Sequence, residues 1–178
     1  MGYTLLSALV LLVAGCGGGS SADPDAVAWT GNVCSALGGF TLAVARQPQV
    51  DRSDPAAAVR GVGEYLASTS GALQESVAAL DRVGPSPVDG GDEYVTRLRD
   101  ALVRIRESFE AARAQLAVVD PANPELLATA LPAAMAPLQE LRTMPSPTEG
   151  LGANDALRTA SEQAPSCQVL GTVGRAPE

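Results

Sequence analysis

Residues 92–119 read DEYVTRLRDALVRIRESFEAARAQLAVV, and their pattern decides the fold class. Val95, Leu98, Leu102, Ile105, Phe109, Ala112, Leu116 and Val119 recur at alternating steps of three and four, which lays one continuous apolar stripe along a helix. The other side is charged. Glu93 and Arg97, Asp100 and Arg104, and Arg106 and Glu110 stand four positions apart, where opposite charges add a few tenths of a kcal/mol per pair. A helix with a narrow stripe and a solvated back must bury that stripe against other helices, so a bundle is expected.

The flanking segments supply those helices. From Pro55 to about Val83, Val59, Val62, Leu66, Thr69, Leu73, Val77 and Leu80 form a second stripe, and Gly84-Pro85 stops it. From Pro24 to about Ala45 a weaker stripe runs through Val27, Thr30, Cys34, Leu37, Thr41 and Val44. Gly38-Gly39 interrupts it at about 2 kcal/mol relative to alanine, so a kink or a close helix contact is expected there. Between Pro124 and Arg142, Leu127, Leu131, Met135, Leu138 and Leu141 keep helical spacing, but Pro132 and Pro137 each remove a backbone bond, so this element should be bent or broken. A last helix is expected over 147–163, followed by Cys167 and a frayed tail from Gln168.

Helix starts carry their own signature. Asp23-Pro24, Asp54-Pro55, Asn123-Pro124 and Ser146-Pro147 each place a capping residue before a proline at the first helical position, where the missing N–H costs nothing. Ser146 has Glu149 three residues on, which completes a capping box. A fifth start is read at Asp89 with Asp92. With 31 alanines and only 3% aromatic residues in 178, the composition suits helices packed through small side chains and not a β-sandwich. The expected fold is all-α: an up-and-down bundle of four main helices plus a short C-terminal helix, stapled by one disulfide.

The N-terminus indicates a compartment. Leu5 to Ala14 is an apolar run of about ten residues, half of what a membrane-spanning helix needs but the length of a signal-peptide core. It ends in Val13-Ala14-Gly15-Cys16. This resembles the lipobox of bacterial lipoproteins, in which small residues precede a cysteine that takes lipid, palmitate among its acyl chains, and becomes the mature N-terminus. Gly17 to Ser21 match the flexible tether that separates such an anchor from its domain. No Arg or Lys precedes the apolar run, a departure that a start upstream of Met1 would remedy. The resemblance implies a signal peptide over 1–15, a lipidated cysteine and tether over 16–22, a bundle domain over 23–167 and a tail over 168–178, held on the extracytoplasmic side of the cell membrane. In overall style the chain also resembles the small Ala-rich helical lipoproteins of actinobacteria, through no functional motif.

Once Cys16 is assigned to lipid, Cys34 and Cys167 remain, an even pair in an exported chain and hence an expected disulfide. A thiol nucleophile or redox pair is disfavoured, because there is no C-x-x-C spacing and no histidine to lower a thiol pKa.

The chain contains neither histidine nor lysine, and all 12 basic residues are arginine. Two of the usual general bases are therefore missing. The net charge of -8 repels phosphate backbones, so nucleic-acid binding is not expected. No phosphate-loop, dinucleotide or zinc spacing occurs. The densest acidic cluster, Asp89, Asp92 and Glu93, lies at a helix start, where capping accounts for it, and it lacks the alternating ligands of a calcium loop. No cofactor, metal or catalytic activity is expected. The sequence favours a non-catalytic envelope protein acting through contacts with another envelope protein, steered by its charged face and weakened between about 50 and 300 mM salt or by charge reversal at Asp100, Glu107 or Glu110. The alternative is a carrier for an apolar ligand, held between helices near Pro132 and Pro137.

Overall fold

A computed structural model describes residues 21–48, 50–51, 53–143, 147–152 and 154–173. Every element among them is helical, and the bundle winds up and down as its sequence implies. Helix α1 (Pro24–Ala45) starts at Asp23, whose carboxylate accepts the Asp25 N–H at 2.8 Å. Helix α2 (Pro55–Leu80) starts at Asp54, which accepts from the Ala57 N–H at 3.0 Å. Helix α3 (Gly91–Ala117) follows, and then α4 (Pro124–Ala134), capped by Asn123 through the Glu125 and Leu126 amides. Each of these three capping side chains satisfies amides that a helix's first turn leaves without partners. The Ser146 capping box lies outside the described residues.

The start of α3 differs from its expectation. Neither Asp89 nor Asp92 caps it; Gly90 does, in the left-handed region at φ 78°. Asp92 instead accepts the Ser86 N–H at 2.8 Å and so braces the turn between α2 and α3. A positive φ is inexpensive only for glycine, which explains why the chain enters α3 through Gly90-Gly91.

The segment with Pro132 and Pro137 is broken, as read. Helix α4 ends at Ala134, Met135 turns, and α5 (Ala136–Thr143) continues. Pro137 has no N–H to extend the ladder back into α4. The C-terminal part is more divided than expected. In place of one helix over 147–163 there are α6 (Pro147–Gly152) and α7 (Asp155–Gln163), the latter capped by Asn154. The expected frayed tail from Gln168 is helical as far as Val173, in α8 (Pro165–Val173), which is pinned to α1; residues 174–178 lie outside the described residues. Ser166 donates its hydroxyl to the Gly31 carbonyl at 2.7 Å, and Cys34 and Cys167 form the disulfide, with Cα atoms 5.0 Å apart.

Pairs across the bundle establish the antiparallel order. Trp29 donates its indole N–H to the Gly84 carbonyl, and the Tyr65 hydroxyl reaches the Val44 carbonyl, so α1 and α2 run oppositely. Asp81 with Arg99 at 3.1 Å and Ser70 with Glu110 at 3.0 Å set α2 against α3 in the same sense. The fourth wall is shared: α4 and α5 cover α3, while α7 and α8 cover α1. One end of the bundle therefore gathers the start of α1, the α2–α3 turn and Asn154, whose side chain donates to the Asp89 carbonyl. The far end gathers the end of α1, the start of α2, the end of α3 and the start of α4.

The core is dense. Phe109, Leu66, Leu73 and Val33 are fully buried, and the α3 stripe is consumed by packing from Leu98 to Leu116. Helix α1 is long and apolar enough to cross a membrane, with a mean hydropathy of 1.3, but its Trp29, Val33, Cys34 and Leu37 are buried in this core. The glycine pair in α1 corrects an expectation. The helix runs unbroken through Gly38-Gly39, and a Cβ at either position would meet nothing within 4 Å, so there is no close helix contact. The close approaches occur elsewhere, as at Gly150, where a Cβ would lie 2.6 Å from the Tyr94 ring.

Burial pushes the Tyr94 phenol up to about 12, with the Arg97 charge pulling slightly the other way. The folded chain thus holds this proton more tightly than an unfolded tyrosine, whose pKa is about 10. Its contribution is complete below about pH 10 and is lost as the pH rises towards about 12. Denaturant titrations across that window should show falling stability, and Tyr94→Phe should flatten part of the fall; Tyr65, also raised by burial, retains the rest. An identical profile in the variant contradicts this assignment.

Candidate functional site

The face of α4 that ends at Met135 meets α2 across an open groove of about 400 Å³. Leu127, Ala128, Leu131, Pro132 and Met135 line it from the broken segment, with Val62 from α2 and Val50 from the α1–α2 connection. No side chain in that wall carries a polar group other than the thioether of Met135. Its volume lies within the roughly 300–1,000 Å³ of small-ligand sites.

A polar depression of about 420 Å³ adjoins it, lined by Val50, Asp51, Ala57, Arg60, Gly61 and Glu64. Val50 lines both hollows. Asp51 is held below the usual carboxylate range by the Ser53 hydroxyl and amide, which donate to it at 2.6 and 2.8 Å. It is therefore ionised at neutral pH. Arg60 and Glu64 stand one helical turn apart on exposed positions of α2.

Exposed large apolar side chains concentrate at the same end of the bundle. Leu42 closes α1, Val50 precedes α2, Val118 follows α3 and Leu126 opens α4; of these, Val118 is 85% exposed. The remaining exposed large apolar side chain among the described residues is Val169, on α8.

The other residues singled out from sequence fall as follows. Cys34 and Cys167 are bonded to each other, and Cys16 lies outside the described residues. Asp89, Asp92 and Glu93 sit at the opposite end from the groove, where Asp92 braces the turn and Asn154 donates to the Asp89 backbone. No group of three His, Cys, Asp or Glu side chains that could hold a metal occurs among the described residues. On the charged face of α3, one of the three expected i,i+4 pairs closes, Arg106 with Glu110 at 3.5 Å. Asp100 instead meets Arg99 at 3.8 Å, and Arg99 is shared with Asp81.

Of the two prolines expected beside a pocket, Pro132 lines the groove and Pro137 does not, and Val50, Asp51, Arg60 and Glu64 were not anticipated. Val62, on the apolar stripe of α2, is buried and also lines the groove. The available signal was surplus apolarity in α4, where adjacent Leu126 and Leu127 cannot both face inward. No protein-family model matches the chain, and neither a curated protein nor a solved structure matches it.

Proposed function

We propose that the chain is a lipid-anchored, extracytoplasmic helical module, without catalytic chemistry, that holds an apolar ligand in the groove between α2 and α4. The observation that carries this reading is the groove wall: a ligand-sized hollow bounded by apolar side chains. Burial of ligand methylenes there contributes about 0.8 kcal/mol each. The Cys34–Cys167 bridge supports export, since such bonds persist in oxidising compartments.

The ligand reading is tested with a neutral hydrocarbon fluorophore, diphenylhexatriene, added to a soluble form beginning at Gly17. Saturable binding of the wild-type domain is expected. Leu131→Glu, which places a charge in the partly exposed groove wall, should weaken it at least tenfold while leaving the helical circular-dichroism melt within a few degrees. Absence of wild-type binding, or equal binding by the variant, rules the groove out.

Anchoring is tested separately. Cys16→Ala should move the protein from the membrane fraction to the soluble fraction or leave its leader unprocessed. An unchanged fraction together with an unchanged mature mass contradicts a lipid on Cys16.

A second reading, contact with another envelope protein, draws on the exposed Leu42, Val118 and Leu126 beside the groove. Under that reading Val118→Asp reduces capture of the partner in crosslinked envelopes, whereas diphenylhexatriene binding is unaffected.

A further inference from the structure

The apolar groove and the polar depression meet at Val50, and together they have the layout of a site for an amphiphile. We infer that the ligand is a single-chain amphiphile with a zwitterionic phosphate–ammonium head, its acyl chain in the α2–α4 groove and its head over Asp51, Arg60 and Glu64. This rests on the groove reading above and specifies the head that the groove alone leaves open.

The charges decide between head classes. Among the described residues the depression presents one guanidinium, Arg60, and two carboxylates, Asp51 and Glu64. An anionic head would gain Arg60 but face both carboxylates and the field of a chain with net charge -8. The same field and both carboxylates favour a purely cationic head, but that head sets its charge against Arg60 and leaves the guanidinium without a counter-charge. A zwitterion gives each of the three a partner of opposite sign. Among the described residues Arg60 has no ion-pair partner, so its guanidinium is available to a phosphate, which it binds in bidentate fashion. The groove volume of about 400 Å³ accommodates one acyl chain, whereas a two-chain lipid would leave its second chain in water.

Competition at the soluble domain loaded with diphenylhexatriene tests this. The competitors share one twelve-carbon chain and are used below their micelle concentrations: lysophosphatidylcholine, lysophosphatidylglycerol and dodecyltrimethylammonium. Lysophosphatidylcholine should displace the fluorophore at a concentration at least tenfold lower than the other two. Arg60→Gln should cut its advantage over the cationic competitor several-fold, and Glu64→Gln should cut its advantage over the anionic one; both positions are exposed, so the fold is retained. Equal displacement by all three, with the fluorophore still bound by the wild type, overturns the head assignment while the groove reading stands. A wild-type domain that fails to bind the fluorophore overturns both. Co-sedimentation of the soluble domain with phosphatidylcholine vesicles, without displacement by monomeric lysophosphatidylcholine, would mean that the depression docks on a bilayer surface and likewise overturns the proposal.

Discussion

Alanine at both Cys34 and Cys167 should lower the unfolding free energy by about 5 kcal/mol, an upper figure from loop closure alone. The bridge spans a sequence separation of 133 residues and ties α1 to α8, so nearly the whole domain is looped in the unfolded chain. Opening that loop frees the denatured ensemble far more than it disturbs the fold. Alanine is the informative substitute because both cysteines are buried, and serine would add hydroxyls where no partner is assured. For a domain of this size the loss corresponds to a fall of about 10–20 °C in Tm. The same shift should follow from reductant in the wild type and be absent in the double variant. A loss below about 1 kcal/mol would show that the bridge constrains little.

Phe109→Ala ranks next, with an expected cost of about 3–5 kcal/mol. Phe109 lies on the inner stripe of α3 with no exposed surface, among the largest fully buried side chains of the bundle. Its removal forfeits the transfer free energy of the ring and leaves a cavity that flanking helices cannot close without shifting their own contacts. Set against a typical total of 5–15 kcal/mol, the variant is expected to be at the margin of folding. Val118→Ala, nine residues further along the chain at 85% exposure, should change stability by no more than about 0.5 kcal/mol. Chemical denaturation of the two variants side by side measures the contrast; comparable losses would mean that Phe109 is not a core anchor.

The three long helices were legible because their causes are local. Stripes with a period near 3.6 residues placed α1, α2 and α3 to within a few residues, and Asp-Pro starts placed the beginnings of α1 and α2. The break in α4 was legible for the same reason, since a missing N–H acts on its own helix wherever that helix packs. Other signals failed where packing outweighed them. The carboxylates at 89 and 92 resembled a cap, yet the turn needed a left-handed residue, and Gly90 took the position while Asp92 turned back to Ser86. Gly38-Gly39 resembled a contact point, yet its side of α1 faces no neighbour. The tail from Gln168 resembled a frayed end until the disulfide and Ser166 fastened it to α1.

The candidate site divides along the same line. Pro132, which marked the expected gap, lines the groove, whereas Pro137 does not, and Val50, Arg60 and Glu64 belong to a distant stretch of chain whose helical stripe says nothing of α4. Sequence by itself determined that the chain is helical, where most helices begin and which faces turn inward, because each follows from backbone geometry or side-chain periodicity; the pairing of Cys34 with Cys167 was expected through the lipobox resemblance at Cys16, and the structure shows the bond. Only the tertiary structure decided that the broken wall meets α2 beside a turn carrying Asp51, and so joins an apolar hollow to a charged one. The reason is physical: a groove is what packing leaves unfilled, and that depends on the relative placement of helices whose contacts lie dozens of residues apart.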